Sequence, residues 1–295
     1  MTDIPFQDQN IQAVTNAQKA KILHDALPYI REYNGKIVVV KYGGNAMVND
    51  AFKKSVLGDI VLLHLVGMKV VLVHGGGPFI KKGLAQAGIE TKFIDGLRVT
   101  DEETMKIVQM VLDGQVNKDL VNILGALGGK AIGLSGFDDL MIRAKKKSVE
   151  LGLVGDITDI NPRIIFDMVN KGYIPVISSI GTDGKGHSYN INADTAAAKV
   201  AAALQAECMI TMTDIDGVLK NPDDPLTLYH SLTMSQVEEL KREQIISGGM
   251  IPKVQCCVDA IEDGVKRVFI INGTVPHAII VELLTSEGLG TMFVR

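Results

Sequence analysis

The chain has 295 residues, 46% of them hydrophobic, 22% charged and 5% aromatic, with a formal net charge of -4 at pH 7. That supply of apolar side chains suits one large α/β unit or two lobes, and the acidic, aromatic-poor balance offers no basic stacking surface for nucleic acid. Cys208, Cys256 and Cys257 form no CxxC pair, so they read as reduced thiols rather than a disulfide framework or a zinc site, and no metal ligand set is expected.

In chain order, residues 1 to 15 carry Asp3 and Asp8, no Lys or Arg and no apolar core, unlike a secretory or transit leader. No run approaches the roughly 20 apolar residues of a membrane span. A cytoplasmic location is expected, with no membrane partner. Thr15 and Gln18 then have capping-box spacing, Ala20, Leu23, Leu27 and Ile30 form an apolar stripe, and Pro28 predicts a kink. This helix could pack on its own domain or on another subunit.

Strand-like runs follow at "KIVVVK" from Lys36, "KVVLV" from Lys69, "KAIGL" from Lys130, "YIPVIS" from Tyr173, "CMITMT" from Cys208 and "RVFII" from Arg267. Helical patterns separate most of them, at 50–66, 102–112, 193–204 and 252–262. The alternation predicts a mainly parallel central sheet with helices on both faces, an open three-layer αβα sandwich. Between Gly133 and Val154 the pattern is less regular, and "RAKKKSVELGLVGD" reads as a hairpin whose Lys145, Lys146 and Lys147 form a solvated edge. "GTDGKGHSYNINAD" reads as an exposed loop leading into an Ala-rich helix that begins a second lobe.

Two glycine turns carry the chemistry. "KYGGNAM" places Lys41 at the end of the first strand, just before Gly43 and Gly44, and "HGGGP" places Gly75, Gly76 and Gly77 between the second strand and a helix. Glycines at a helix N-terminus let backbone N–H groups approach an anion, although a tight turn can also want glycine for its conformation alone. Known phosphate motifs fail here. "GALGGKA" lacks Walker spacing and has Ala131 where Ser or Thr is required, no GxGxxG opens either turn, and "GLSGF" has Phe137 where a hydrolase elbow needs Gly. His74 reads as a packing or hydrogen-bonding histidine.

"KYGGNAM", "HGGGP", "DGLRVTD", "YNINAD", "TMTDIDGVL" and "GGMIPKV", in that order from about Gly35 onward, resemble the amino acid kinase family, and within it the acetylglutamate kinases of arginine biosynthesis. The resemblance implies residues 35–189 as an N-lobe for N-acetyl-L-glutamate and dimerisation, and 190–295 as a C-lobe for ATP. It implies Lys41 and Lys253 as phosphate-binding lysines and Asp194 as the carboxylate that orients them. Gly76, Gly77, Arg98 and Asn190 match substrate-side positions. Gly43, Gly44, Thr213, Asp214, Gly217, Gly248 and Gly249 match phosphate or nucleotide positions, with Mg²⁺ held mainly by ATP. Asp194 could also be only a helix N-cap, and Lys253 only a solvent-facing lysine.

The tail "HAIIVELLTSEGLGTMFVR", together with the kinked helix in residues 1–34, resembles the arginine-inhibited subset. That implies a hexamer, a trimer of dimers laced by the N-terminal helices, with arginine near Tyr29, His277, Glu282 and Gly288. Glu282 alone could be an exposed helix residue. A PII-type signalling protein is a further partner in some relatives, without a local motif for it here. The rival readings are an aspartate, glutamate or carbamate kinase on the same fold, or a non-catalytic amino-acid sensor.

Overall fold

The computed structural model describes residues 14–295. The first thirteen residues of the 1–34 segment, and with them most of the stretch read as lacking a leader, lie outside the described residues. A kinked pair of helices comes first: α1 (Asn16–Asp25), with the Thr15/Gln18 capping box in place, and α2 (Leu27–Tyr33), which carries Pro28 in its first turn. The expected apolar stripe is only half covered. Leu23 is 76% exposed and α1 buries no residue, whereas Tyr29 and Ile30 of α2 pack on the core.

The first half continues with β1 (Ile37–Tyr42), α3 (Asp50–Leu65), β2 (Lys69–His74), α4 (Gly77–Gln86) and the short pair β3 (Phe93–Ile94) and β4 (Leu97–Arg98). The helix expected at 102–112 runs further, as α5 (Glu102–Gln109), a π-turn (Met110–Val116) and α6 (Asn117–Ala126). Then come β5 (Ala131–Leu134), the hairpin β6 (Ile142–Lys146) and β7 (Gly155–Ile160), α7 (Arg163–Asn170) and β8 (Ile174–Ser178). The second half holds β9 (Ile180–Thr182), β10 (Ser188–Asn190), α8 (Ala193–Ala203), β11 (Cys208–Thr213), β12 (Ser231–Thr233), α9 (Met234–Arg242), α10 (Met250–Glu262), β13 (Arg267–Asn272), α11 (Ala278–Leu284) and β14 (Thr291–Val294). The segment read as an exposed loop after Gly181 is therefore largely the antiparallel β9–β10 hairpin, because Ile180 and Tyr189 bury side chains there; only its tip, 184–187, is exposed.

Eight strands form one sheet in the order β12-β14-β13-β11-β1-β2-β8-β5, parallel from β13 to β5, with β14 antiparallel to β13. Strand alternation sends successive side chains to opposite faces. Val38, Val40 and Tyr42 of β1 join Val70 and Leu72 of β2 beneath α3–α6 and α11, while Val39, Val71 and Val73 face α7–α10. Both faces are therefore covered, which is why these strands read as unbroken apolar runs. From β1 the chain proceeds outward to β2, and from β11 it proceeds the other way to β13. The strand order thus reverses between β1 and β11, and the crevice beyond their carboxyl ends is where open α/β sheets bind ligands.

Candidate active site

Lys41 shares parity with Val39, so its side chain leaves β1 on the α8 face. There its Nζ lies 2.9 Å from Asp194 Oδ1, with both side chains largely buried. Asp194 stands in the first turn of α8 but is not its cap. Asn192 caps the helix, its Oδ1 accepting from the N–H groups of Asp194 and Thr195 at 2.9 and 3.1 Å. The Asp194 carboxylate is thereby released to face the cleft. Burial raises its pKa, but the Lys41 ammonium, joined by that of Lys253, outweighs burial and holds the carboxyl below the usual range.

Two chambers adjoin at Asp194. On one side Lys41, Gly43, Gly44, Gly75, Gly76, Gly77, Arg98 and Asn190 converge with Ser179 and Asn192. On the other, Lys253 and Gly249, at the start of α10, line a second chamber that shares Asn192 and Asp194 with the first. Two lysines, one from a strand and one from a helix, therefore approach one carboxylate from two chambers, and Lys253 is a cleft residue rather than a purely solvent-facing one.

The glycines have separate reasons. Gly44 sits at φ 72°, a left-handed conformation that favours glycine. Gly76 is extended, and its requirement is space: a Cβ there would lie 2.7 Å from Leu112 Cδ2 and 3.3 Å from Val116 Cγ2, both on the π-turn. Sequence reasoning missed this packing, because the π-turn has no periodic signature that distinguishes it from the α-helix around it.

Arg98 is buried and held on three sides. Nη1 donates to Thr91 Oγ1 at 3.1 Å, Nη2 to the Gly77 carbonyl at 3.3 Å, and the guanidinium stacks over Phe93 at 4.8 Å. Asn190 donates from Nδ2 to Thr100 Oγ1 at 3.1 Å, which fixes its carboxamide at the cleft wall. Thr213, Asp214 and Gly217 gather at the carboxyl end of β11, Thr213 donating to Asp214 at 3.3 Å. Gly217 is needed for packing, since a Cβ would lie 2.5 Å from Thr291 Oγ1. Gly248 adopts φ 53° just ahead of α10. Of the residues matched to nucleotide positions on this side, Gly249 lines the second chamber, whereas Thr213, Asp214, Gly217 and Gly248 do not.

Tyr29, His277, Glu282 and Gly288 do not line the cleft: Tyr29 is on α2 and Glu282 on α11, two helices that pack on each other, Gly288 follows α11, and His277 at its start faces α3. Glu282 is half-buried, not exposed: Oε2 accepts from the N–H groups of Leu289 and Gly290 at 2.7 and 3.0 Å, and Gly288 lies against Oε1. Burial raises its pKa in spite of those bonds. His277, at the start of α11, pairs through Nδ1 with Asp59 Oδ1 at 2.7 Å.

Among the described residues no three His, Cys, Asp or Glu side chains gather as a metal site, and no helix is long and apolar enough to cross a membrane.

Comparison with known proteins matches this architecture. The profile of the amino acid kinase family covers residues 36–272. An acetylglutamate kinase of Clostridium kluyveri is 54% identical over 275 residues, 92% of this chain and 97% of that protein. Among solved structures, N-acetylglutamate synthase from Neisseria gonorrhoeae, complexed with coenzyme A and N-acetyl-glutamate, superposes with a TM-score of 0.82 at 26% identity, over 94% of this chain and 63% of the synthase. The same synthase complexed with coenzyme A and L-arginine gives a TM-score of 0.78 at 25% identity, over 93% of this chain and 65% of the synthase. This chain, with the reversing strand order of its eight-stranded sheet and its paired glycine turns, belongs to the amino acid kinase family.

Proposed function

We propose that the cleft transfers the γ-phosphoryl group of MgATP to the side-chain carboxylate of N-acetyl-L-glutamate, giving N-acetyl-L-glutamyl 5-phosphate in arginine biosynthesis. The observation that carries this reading is the Lys41–Asp194 pair, 2.9 Å apart between two glycine turns, with Lys253 in the adjoining chamber. The near-full-length identity to an acetylglutamate kinase supports the substrate. The 35–189 segment would then hold the acyl amino acid and 190–295 the nucleotide.

The chemistry follows from charge. The acceptor carboxylate has a pKa near ~4.3 and is already ionised at pH 7, so no base is needed. As its oxygen bonds to phosphorus and the bond to the ADP oxygen breaks, negative charge spreads over the equatorial and leaving oxygens. Lys41 and Lys253 stabilise that charge from two sides, and N–H groups of Gly44, Gly76 and Gly77 add fixed donors. Asp194 is an organiser, engaged by Lys41 and held ionised, and Mg²⁺ enters as part of the MgATP substrate. Arg98, braced by Thr91, the Gly77 carbonyl and Phe93, presents a planar fork to the α-carboxylate, and Asn190 offers a second polar contact. Thr213, Asp214, Gly217, Gly248 and Gly249 frame the nucleotide side.

Trapping the acyl phosphate as a hydroxamate, with N-acetyl-L-glutamate beside glutamate, aspartate and carbamate, tests the assignment. Selective turnover of the acetylated acceptor supports it. Turnover of another acceptor would reassign the substrate, and none at all would favour a sensor.

A second reading concerns regulation, and the α2–α11 contact favours it. Glu282, with His277, Tyr29 and Gly288, would receive arginine, and the exposed face of α1 would lace dimers into a hexamer. The synthase solved with L-arginine supports an arginine site on this fold. A PII-type protein would be a further, cytoplasmic partner. Sedimentation as a dimer both with and without arginine would contradict the hexamer.

A further inference from the structure

Behind the Gly75–Gly77 turn lies a buried polar cluster that the phosphoryl chemistry leaves unused. His74 ends β2 fully buried, and Asn117, 1% exposed, opens α6 directly after the π-turn. Asn117 Nδ2 lies 2.8 Å from the Val176 carbonyl and 3.4 Å from that of Leu134. Carbonyls only accept, so the NH₂ of the carboxamide is on their side; its two protons go to the two nearest acceptors, the Val176 carbonyl at 2.8 Å and His74 Nε2 at 3.0 Å, with the Leu134 carbonyl a longer contact, and Oδ1 faces Lys118 Nζ, which donates at 3.1 Å. The orientation of the amide is thus fixed by its surroundings, and Gly133 leaves the room that Oδ1 occupies.

The same Nδ2 is 3.0 Å from His74 Nε2. An NH₂ group can only donate, so Nε2 accepts, and the single proton of the neutral ring sits on Nδ1. Burial pushes the imidazole down to about 4, which keeps it neutral at pH 7. Nδ1 in turn lies 3.0 Å from the Gly75 carbonyl and donates to it. In a trans peptide the C=O and the following N–H point in opposite directions. Drawing the Gly75 oxygen inward to His74 therefore directs the Gly76 N–H outward, and Gly76 lines the cleft.

The π-turn closes the brace. Its Leu112 and Val116 fill the space beside Gly76, and the Asp113 carboxylate accepts from Ser178 and Ser135 at the ends of β8 and β5. Such turns within helices recur at functional sites. We propose that His74, locked by Asn117 as the Nδ1–H tautomer, is a positioning residue that aims the Gly76 amide at the transferred phosphoryl group; this rests on the kinase reading above. A buried histidine that merely fills space would have no preferred tautomer linked to rate.

Two arms test it. Nitrogen NMR of the histidine rings in the whole protein should find His74 with Nδ1 protonated and Nε2 bare, and the reverse would overturn the proposal whether or not the kinase reading holds. In steady-state kinetics, His74→Leu should lower kcat about 100-fold, the low end for losing one oxyanion-type donor, with KM for both substrates within about 3-fold. His74→Asn, whose amide can reach the Nδ1 position, should recover most of the loss. Asn117→Ala releases the lock from the far side and should lower kcat about 10-fold. It also serves if the Leu variant does not fold. Wild-type kcat in a folded Leu or Ala variant, or a loss carried by KM, would overturn the positioning role. Absence of phosphoryl transfer in the unaltered enzyme would instead remove the kinase reading.

Discussion

Asn192, not Asp194, caps the helix on which Asp194 stands, and that division of labour leaves the Asp194 carboxylate 2.9 Å from Lys41 Nζ. Asp194→Asn keeps the shape but removes the charge that pairs with Lys41 and that, in the reading proposed above, also orients Lys253. We expect kcat to fall about 100-fold, as for other electrostatic contacts made at the transferring group, with the helix intact by circular dichroism. Because the folded pKa is depressed, this carboxylate contributes stability at neutral pH that is lost as pH falls through its folded value. The Asn variant should therefore lose less stability than the wild type on acidification below the ordinary carboxylate range, and equal acid sensitivity would contradict the pairing.

Arg98 is held by Thr91, the Gly77 carbonyl and the face of Phe93. Lysine has neither the fork nor the planar stacking surface. Arg98→Lys should raise KM for acetylglutamate about 10-fold or more, the effect of losing a contact of about 1–2 kcal/mol, while KM for ATP stays near the wild-type value. A change confined to ATP would contradict the placement of Arg98 on the substrate side.

Gly76 faces Leu112 so closely that a methyl group has no room. Gly76→Ala should cost about 1–3 kcal/mol of stability through overpacking, measured by urea unfolding. Adding Leu112→Ala should recover part of that cost, although Leu112→Ala alone is destabilising. Simple additivity of the two substitutions would show that the methyl is accommodated elsewhere.

Asp59 is buried against the start of α11, and burial raises its pKa to about 6 despite the bond from His277. The folded protein therefore holds this proton more tightly than the unfolded chain. Stability from this group is greatest below the ordinary value of 3.8 and declines as pH rises to about 6, after which the loss is constant. A shift of that size corresponds to about 3 kcal/mol. Between about pH 4 and 6 the unfolding free energy of Asp59→Asn should gain on the wild type by up to that amount. A difference that does not change with pH would contradict it.

Much of the fold is legible in the sequence because burial on both faces leaves an unmistakable mark. Hydropathy alone could not order the strands, but Val38 to Val40 and Val70 to Val73, each followed by a glycine turn, locate two neighbouring strand ends and put Lys41 at the crevice. The period-two rule then explains why Lys41 meets α8 and not α3. What stays hidden depends on contacts between distant segments. Asn117 carries no local signal, since its partners Val176 and Leu134 lie on other strands. Glu282 reads as a surface residue because its partners, the amides of Leu289 and Gly290, are backbone groups brought back by the turn. The hairpin after Ile180 is masked by its Gly-rich tip.

In the reading proposed above, Lys41 and Lys253 together clamp a phosphoryl group passing from ATP to acetylglutamate. The most direct measurement compares ATP consumed with hydroxamate formed, for the unaltered enzyme and for Lys41→Met and Lys253→Met. We expect one hydroxamate formed per ATP consumed in the unaltered enzyme and a loss in kcat of about 100-fold or more in each variant. Wild-type kcat in either variant would contradict the clamp.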